Sequence, residues 1–373
     1  MSKKNYDVAA FIWPSYTGDE PRTRIFWPEG YGEWETVKAA TAKKPGHTWP
    51  RKPLWGYVNE ADPYVMEMEI EAAVDHGINV FIYDWYWYDN RPFLEQCLNN
   101  GFLKAKNNHK MKFYLMWANH DANYLWDRRI STQDGGAVIW QGAVNREQFE
   151  TLAKRITENY FTKPNYYTID GKPVFMLYDI DNLIKGLGSI EKVADALNWW
   201  REEVKKYGLK GVHFQGKSSF KDAWITRSED PAVAEMSDKE LVKALTYDSI
   251  TNYNMFALAP LWGRDYGVAA DEAAEKWGEQ GDRYGITYFP HVSVGWDTNP
   301  RFKETLPDIC VNNTPEEIKK IFQKVKAYLD EHDEHVPLVT VNSWNEWTET
   351  SYLQPDDIYG YGYLEAIKSV FVD

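Results

Sequence analysis

Eight short apolar runs recur along the chain, and most are separated by segments with the periodicity of amphipathic helices. Near-continuous apolar runs of this length are typical of strands buried on both faces, as in a parallel sheet. The runs begin at Asp7, Ile78, Lys112, Pro173, Gly211, Ser249, Ile286 and Pro337. Eight strands alternating with helices in 373 residues predict an α/β fold, a (β/α)8 barrel, forming one domain over residues 1–373.

Two of the intervening segments carry residues that mark the ends of helices. Asp62 followed by Pro63 is typical of an N-cap and a first turn, and Gly77 is a residue at which helices commonly stop. Thr314 followed by Pro315 gives the same starting signal before the last strand. These signals predict helices after the first and the seventh strands.

The alternative architecture is a doubly wound open sheet. That fold would be favoured by a phosphate-binding glycine loop after an early strand, and the sequence has neither G-x-G-x-x-G nor a P-loop. The stretch from Trp13 to Asp62 is the main departure from a minimal barrel. Featureless loops of that length are uncommon, so we expect a structured wall over the end of the first strand.

The composition limits the classes of partner. The net charge of −14 argues against a nucleic-acid partner, because phosphate contacts need clustered Lys and Arg. No run of eighteen apolar residues is present, so we expect no membrane span. The two cysteines, Cys97 and Cys310, form no C-x-x-C motif, and we predict neither a metal nor a cofactor.

Aromatic residues are unusually frequent, with 18 Trp and 25 Tyr. These side chains favour sites that are half apolar and half wet. A sugar ring suits such a site, because it offers an apolar C–H face together with hydroxyl groups. A glycan cleft and a protein interface both fit this composition, and the clustering described next favours the cleft.

Polar and aromatic residues gather where the predicted strands end. In (β/α)8 barrels the chemistry lies at the carboxyl ends of the strands, which makes these residues candidates for substrate binding. The alternative, that they are strand-edge residues meeting solvent, weakens as the pattern recurs across eight strands. The candidates from the first seven strands are Trp13, Tyr16, Asp84, Trp85, Tyr86, Trp117, Asn119, His120, Tyr178, Tyr253, His291, Trp296 and Asp297.

The eighth strand ends in the motif "VNSWNEWTET", which holds the carboxylates Glu346 and Glu349. Alternation along the strand predicts that Trp344 and Glu346 share the inward face with Asn342. If the strand ends near Asn345, both carboxylates can aim at one point. A pair of carboxylates in an aromatic cleft is the minimal equipment for cleaving a glycosidic bond, and Trp344 and Asn345 become candidate substrate contacts. The alternative is a surface loop with solvated acids, but tryptophans are uncommon in such loops because they tend to be buried.

The segments "NSWNEWTE", "GINVFIYDWYWY", "IDGKPVFMLYD" and "GWDTNPR" together resemble the glycoside hydrolases related to family 99. They are most similar to the WbsX-like branch, which is sometimes described as a glycosyltransferase. The resemblance implies a metal-free, retaining, endo-acting glycosidase. In it Glu346 would assist the 2-hydroxyl of the sugar to form a 1,2-anhydro intermediate, and Glu349 would be general acid and then base. α-Mannoside or α-L-rhamnoside linkages fit that mechanism, although Thr348 and Thr350 depart from the family pattern N-E-W-H-E-G.

We therefore expect a hydrolase whose partner is a glycan. Two alternatives stay open: a glycosyltransferase in surface-polysaccharide synthesis, against which the lack of a D-x-D metal motif argues, and a non-catalytic glycan-binding barrel. We expect a periplasmic or extracellular location if a signal peptide has been removed from the chain, and a cytoplasmic one otherwise. The sequence makes no prediction of the oligomeric state.

Overall fold

The computed structural model describes residues 5–127, 129, 137–218, 235–303, 309–332 and 336–373. Its central sheet is built from eight parallel strands, numbered here in chain order. They are β1 (Asp7–Ile12), β2 (Val80–Tyr88), β3 (Lys112–Trp117), β4 (Lys172–Leu177), β5 (His213–Lys217), β6 (Ser249–Thr251), β7 in two halves (Thr287–Tyr288 and His291–Ser293) and β8 (Leu338–Asn342).

The sheet closes on itself through β7. Each strand from β1 to β6 pairs in parallel with the next, and β1 also pairs with β8. The first half of β7 pairs with β6 and the second half with β8. The halves are separated by Phe289 and Pro290, and proline has no N–H to offer a ladder. Phe289 N–H still donates to Ile250 on one side, and the Pro290 carbonyl accepts from Thr340 on the other. The predicted (β/α)8 barrel is confirmed.

Helices surround the barrel, and the two predicted N-cap residues cap their helices. Asp62 accepts a hydrogen bond from the backbone N–H of Tyr64, and the helix runs over Pro63–Asp75. Thr314 caps the helix Pro315–Glu331 in the same way. The other α-helices are Trp34–Ala39, Arg146–Ile156, Ile180–Leu187, Ile190–Glu203, Asp238–Ala244, Tyr266–Glu275, Trp277–Tyr284 and Gly362–Phe371.

Single turns and short strands complete the described structure. Turns of 3-10 helix lie at Pro21–Ile25, Phe102–Lys104, Asn108–Lys110, Tyr124–Trp126, Val204–Tyr207, Met255–Ala257, Asn299–Arg301 and Trp347–Glu349, and π turns at Cys97–Gly101 and Thr157–Phe161. Short antiparallel partners are Arg91–Phe93 on β2, Thr168–Ile169 on β4, and the pairs Ala122–Asn123 with Val138–Trp140 and Asn345–Glu346 with Ser351–Tyr352. In the described part of the chain no helix is long and apolar enough to cross a membrane.

A small polar layer lies inside the barrel below its carboxyl end. The hydroxyls of Thr251 and Thr340 are 2.7 Å apart, and Nδ1 of His291 lies 2.9 Å from the Thr340 hydroxyl. Burial lowers the pKa of His291 to about 3, so its imidazole is neutral at ordinary pH. The layer therefore supports the site above it without adding charge.

The long segment after β1 folds back over the end of that strand, as its length led us to expect. It contains the 3-10 turn Pro21–Ile25 and the helix Trp34–Ala39. Its fully buried Glu33 accepts hydrogen bonds from the indole of Trp13 and the hydroxyl of Tyr16. A buried carboxylate anchored to the strand end in this way makes the segment part of the wall of the site.

Candidate active site

A cavity of about 90 Å³ lies at the carboxyl ends of the strands. Its walls come from the ends of β1 to β4, β6 and β8, from the loop after β3 and from the loop after β7. The lining residues are Trp13, Asp84, Tyr86, Met116, Ala118, His120, Trp126, Tyr178, Tyr253, Arg301, Glu346 and Glu349. The cavity combines aromatic faces with three carboxyl groups and one guanidinium, so it suits a ligand with both apolar and hydroxyl surfaces.

The two carboxylates of the motif "VNSWNEWTET" are brought together by a tight hairpin. Beyond the end of β8, Asn345–Glu346 pairs with Ser351–Tyr352, and the 3-10 turn Trp347–Glu349 connects them. Thr350 completes the turn with a φ of 52°, in the left-handed region. Because the turn replaces a continuing strand, the side chains of Glu346 and Glu349 can face the same cavity.

Arg301, in the loop after β7, joins the two carboxylates. Its Nη1 lies 2.9 Å from Oε1 of Glu349, and its Nη2 lies 3.2 Å from Oε2 of Glu346. Its Nε donates to the hydroxyl of Thr348 at 2.8 Å and lies 3.6 Å from Oε1 of Glu33. One buried guanidinium thus faces three carboxylates, which holds both motif acids at fixed positions.

The two motif acids differ in their surroundings. Glu346 is buried, whereas Glu349 is partly exposed to solvent. Burial raises the pKa of Glu346 well above its usual value, and the negative charge of Glu349 raises it further, while Arg301 opposes both effects. Glu349 therefore has the better access to water, whereas burial disfavours the ionised form of Glu346 and Arg301 favours it.

A tyrosine hydroxyl links Glu346 to a third acid. The hydroxyl of Tyr253 lies 3.0 Å from Oδ2 of Asp84 and 3.2 Å from Oε1 of Glu346. Burial raises the pKa of the Asp84 carboxyl well above its usual value. A hydroxyl has one proton to donate, so both contacts can be hydrogen bonds only when one of the two acids carries a proton. The geometry and the raised pKa values agree on this point.

Aromatic rings form the rest of the wall. Trp13 meets Tyr86 edge-on at 5.7 Å between ring centroids and lies 5.4 Å from Trp126. On the other side Tyr178 meets Tyr253 edge-on at 5.3 Å. These rings hold one another in place, so the cavity is shaped before a ligand arrives.

Of the residues predicted to touch substrate or to act in catalysis, the structure brings eight together around the cavity: Trp13, Asp84, Tyr86, His120, Tyr178, Tyr253, Glu346 and Glu349. The remaining nine lie outside its lining: Tyr16, Trp85, Trp117, Asn119, His291, Trp296, Asp297, Trp344 and Asn345.

Two of those nine point away because side chains alternate along a strand. Trp85 follows Asp84 on β2 and turns outward, where its indole donates to Glu95 at 2.9 Å. Trp117 likewise packs outward against Phe149 of the helix Arg146–Ile156. Adjacent residues of one strand cannot both face the barrel mouth, so the prediction that Trp85 and Trp117 line the site is corrected.

The inward position predicted for Trp344 is also corrected. β8 ends at Asn342, so its alternation does not extend to Trp344. The indole of Trp344 instead donates to Oε2 of Glu69 at 2.8 Å and packs against Phe81. Asn345 is equally structural, since its amide bonds the backbone of Trp13 and the carboxylate of Glu60.

The other five predicted residues support the cavity from behind or beside it. His291 belongs to the polar layer inside the barrel, and Asn119 bonds the backbone of Asp179. Tyr16 accepts from the backbone N–H of Trp347 at 3.2 Å and donates to Glu33. Asp297 and Trp296 follow β7: Asp297 bonds His47 at 2.6 Å, and Trp296 packs edge-on against Phe256.

The sequence analysis missed the two charged residues that organise the site. Arg301 lies within "GWDTNPR", a segment used only for its resemblance, and Glu33 lies in the long segment after β1. In the sequence alone, an acid at the start of the helix Trp34–Ala39 indicates only an ordinary helix-terminal residue. The fold shows that Glu33 is buried against Trp13. Among the described residues no group of three or more His, Cys, Asp or Glu side chains could hold a metal ion.

A larger cavity of about 420 Å³ lies at the opposite end of the barrel, where β6 and β7 begin. Arg201, Lys239 and Lys243 contribute to its lining, and Asp248 is the carboxylate among its residues. It contains no paired carboxylates, and the amino ends of barrel strands are not where barrel chemistry is found. The smaller cavity is therefore the candidate active site.

The model of a protein family described as glycosyltransferase WbsX matches residues 8–367. Two curated relatives from Xanthomonas campestris pathovar campestris, both described as uncharacterized protein WxcX, are 23% identical over 373 residues. Each alignment covers 97% of this chain and 49% of the relative, so the chain spans about half the length of these relatives.

Several solved structures share the barrel. A GH99 endo-α-mannosidase from Bacteroides thetaiotaomicron, in complex with Bis-Tris-propane, superposes with a TM-score of 0.58 and 13% identity, covering 99% of this chain and 96% of its own. A protein described as glycoside hydrolase-like gives a TM-score of 0.60 and 15% identity, covering 100% and 95%. At these identities the likeness establishes the fold, which is that of glycoside hydrolases related to family 99.

Proposed function

The chain belongs to the WbsX family, and on that premise we propose that it is a glycoside hydrolase acting on a polysaccharide or oligosaccharide through Glu346 and Glu349. The observation that carries the proposal is the pair of carboxylates held on one guanidinium, that of Arg301, inside an aromatic cavity. Most glycosidases cleave the glycosidic bond with a pair of carboxyl groups in one site.

The surroundings of the two acids support a division of roles. Glu346 is the buried acid with the raised pKa, so its carboxylate, when kept ionised by Arg301, is a strong acceptor for the proton of a sugar hydroxyl. Glu349 is partly exposed, so it can exchange its proton with water between the two halves of a reaction. We therefore assign Glu346 to the 2-hydroxyl of the sugar and Glu349 to the leaving group and the attacking water.

The proposed reaction proceeds in two balanced steps. In the first, Glu346 takes the proton of the 2-hydroxyl while O2 bonds to C1. The bond from C1 to the leaving oxygen breaks, and that oxygen takes the proton of Glu349. In the second step water attacks C1, Glu349 takes its proton, the bond from C1 to O2 breaks, and O2 regains the proton from Glu346. The configuration at C1 is retained.

This mechanism favours particular linkages. O2 must lie trans to the leaving group, which is the arrangement in α-mannosides and α-L-rhamnosides. We propose these linkages within a chain, that is, endo action. A degradative enzyme of this class acts on polymers outside the cytoplasm, so we propose a periplasmic or extracellular site of action.

The experiment that tests the proposal is a proton NMR time course on mannose- and rhamnose-containing polysaccharides. Wild type is compared with Glu349→Gln and Glu346→Gln, and with Glu279→Gln as a control on the exposed face of the helix Trp277–Tyr284. We expect cleavage with initial retention, a rate at least about a hundredfold lower in both site variants, and an unchanged rate in the control.

Two other outcomes would replace the proposal. The description of the family favours a glycosyltransferase, and consumption of a nucleotide sugar without hydrolysis would establish that alternative. Binding of a glycan without cleavage or transfer would make the chain a glycan-binding barrel.

A further inference from the structure

Three aromatic rings form a cluster outside the cavity, on the same end of the barrel. Phe256 follows β6, and its ring stacks on that of Trp262 with 4.4 Å between the ring centroids and 30° between the ring planes. Trp296, which follows β7, meets Phe256 edge-on at 4.5 Å between ring centroids. The outermost ring, Trp262, is 53% exposed. A single exposed tryptophan is ordinary, but this one is the surface of a three-ring stack.

The stack is joined to the candidate active site on both sides. Tyr253, in the cavity wall, lies three residues before Phe256 in the same loop. The residue after Trp296 is Asp297, whose backbone N–H donates to the carbonyl of Glu349 at 2.7 Å. Two short segments of chain therefore connect the stack to the wall of the cavity.

The backbone beneath the stack is held by hydrogen bonds. The N–H of Met255 donates to the Ser293 hydroxyl at 3.0 Å, and the carbonyl of Trp296 accepts from Cys310 at 2.8 Å. Farther along the loop, the N–H of Tyr266 donates to Val311 at 2.8 Å. Two of these hydrogen bonds fix the loop after β6 on either side of Trp262, and the third fixes the loop after β7 beside Trp296. Positioning the rings before a ligand binds lowers the entropic cost of binding.

We propose that Trp262, backed by Phe256 and Trp296, is a distal subsite that stacks one sugar ring of a bound glycan chain. The inference rests on the proposed function, in which a neighbouring sugar of the same chain occupies the cavity. At about 90 Å³ the cavity holds at most one ring, so the rest of a polymer must lie on the surface beside it. A flat indole offers a pyranose the apolar contact that its C–H face needs, while the sugar hydroxyls stay in water.

The test is affinity electrophoresis through gels containing α-mannan or α-L-rhamnan. The variant Trp262→Ala is compared with wild type, with Trp262→Phe, and with Trp199→Ala. Trp199 is the matched control because it is a half-buried tryptophan on the outer helix Ile190–Glu203, in contact with Arg146 and Lys154. We expect Trp262→Ala to weaken binding of the retained polysaccharide about tenfold. Trp262→Phe should keep part of the affinity, and Trp199→Ala all of it.

A kinetic measurement separates this inference from the proposed function. On a polysaccharide that wild type cleaves, Trp262→Ala should raise KM about tenfold, and on a short aryl glycoside that fills only the cavity it should change nothing. Equal affinity and KM for wild type and Trp262→Ala would overturn the subsite while leaving the hydrolase intact. Retention through Trp262 without cleavage of any of the mannose- and rhamnose-containing polysaccharides would refute the hydrolase and leave the subsite. Failure of wild type to be retarded by either polysaccharide would overturn the subsite.

Discussion

Removal of the Arg301 guanidinium tests the electrostatic account of the site most directly. In Arg301→Met the three carboxylates of Glu33, Glu346 and Glu349 lose their shared positive charge. Breaking a buried ion pair by removing one partner costs about 3–5 kcal/mol of folding free energy, against a typical total of about 5–15 kcal/mol. At neutral pH we therefore expect the variant to lose at least about a fifth of its stability.

The loss should depend on pH, and the sign follows from linkage. Arg301 lowers the pKa values of Glu33 and Glu346, and burial already raises both, so its removal raises both further. When the folded-state pKa of a carboxyl lies above its unfolded-state pKa, the folded state binds more protons than the unfolded state at pH values between the two. The contribution of such a carboxyl is therefore lost as the pH rises above about 4.5 towards the raised value. Arg301→Met should be much closer to wild type at pH 5 than at pH 7.5.

The assay is urea-induced unfolding, followed by tryptophan fluorescence at both pH values. A double-mutant cycle with Glu346→Gln isolates the coupling, because replacing one of the stranded carboxylates should restore roughly 1–3 kcal/mol of the loss. The control is Arg51→Met. Arg51 is also buried, but it bonds the hydroxyl of Tyr352 and lies 4.0 Å from Asp356, away from the cavity. Its loss should not be rescued by Glu346→Gln.

The electrostatic account would be refuted if Arg301→Met were equally destabilised at the two pH values and showed no coupling to Glu346→Gln. That result would mean that Arg301 acts by packing alone. The pH profile of kcat/KM gives an independent readout, because the acid limb reports the base in the free enzyme. With Glu346 as that base, the limb should move to higher pH in the variant.

Two further predictions concern groups around the motif. Tyr253→Phe removes the hydroxyl that contacts Glu346 and Asp84, and we expect kcat to fall roughly tenfold or more and stability to fall by roughly 1–3 kcal/mol. An equal fall in kcat in Tyr160→Phe, a buried tyrosine outside the cavity, would contradict this. Burial raises the pKa of Glu69 to about 7, so wild-type stability should fall as the pH rises from about 4.5 to about 7. Glu69→Gln keeps an acceptor for the Trp344 indole and should reduce that slope, with a gain of roughly 2–3 kcal/mol at pH 8 in urea unfolding; equal slopes in both proteins would count against the buried acid.

The fold was predictable because its signals are local and repeated. Each apolar run reports a buried strand by itself, and eight of them separated by helices leave few arrangements. What the runs could not report is how the barrel closes. The run from Ile286 reads as one strand, yet Pro290 divides it, so that its halves bond different neighbours. The division depends on two partner strands that are distant in sequence.

The candidate site was predictable only where the alternation of side chains along a strand was taken into account. Asp84 and Tyr86 share one face of β2, so the position of either indicates the other, and Trp85 between them is excluded. This alternation ends where the strand ends. Trp344 lies beyond the last residue of β8, Asn342, and therefore does not share the inward face. Glu346 and Glu349 were paired on the expectation of a turn, and the hairpin supplies that turn.

The charge balance of the site lies beyond any local pattern. Arg301 is 45 residues from Glu346, and Glu33 is 315 residues from Thr348, with which it shares a hydrogen bond. Neither residue stands in a pattern that distinguishes it from a surface charge. An aromatic pocket nevertheless disfavours an ionised carboxylate, and a second acid nearby raises its pKa further, so an ionised base in such a pocket requires a buried cation. That requirement indicates that a cation must exist near the motif, and the fold then identifies it, because Arg301 donates to both acids within 3.2 Å.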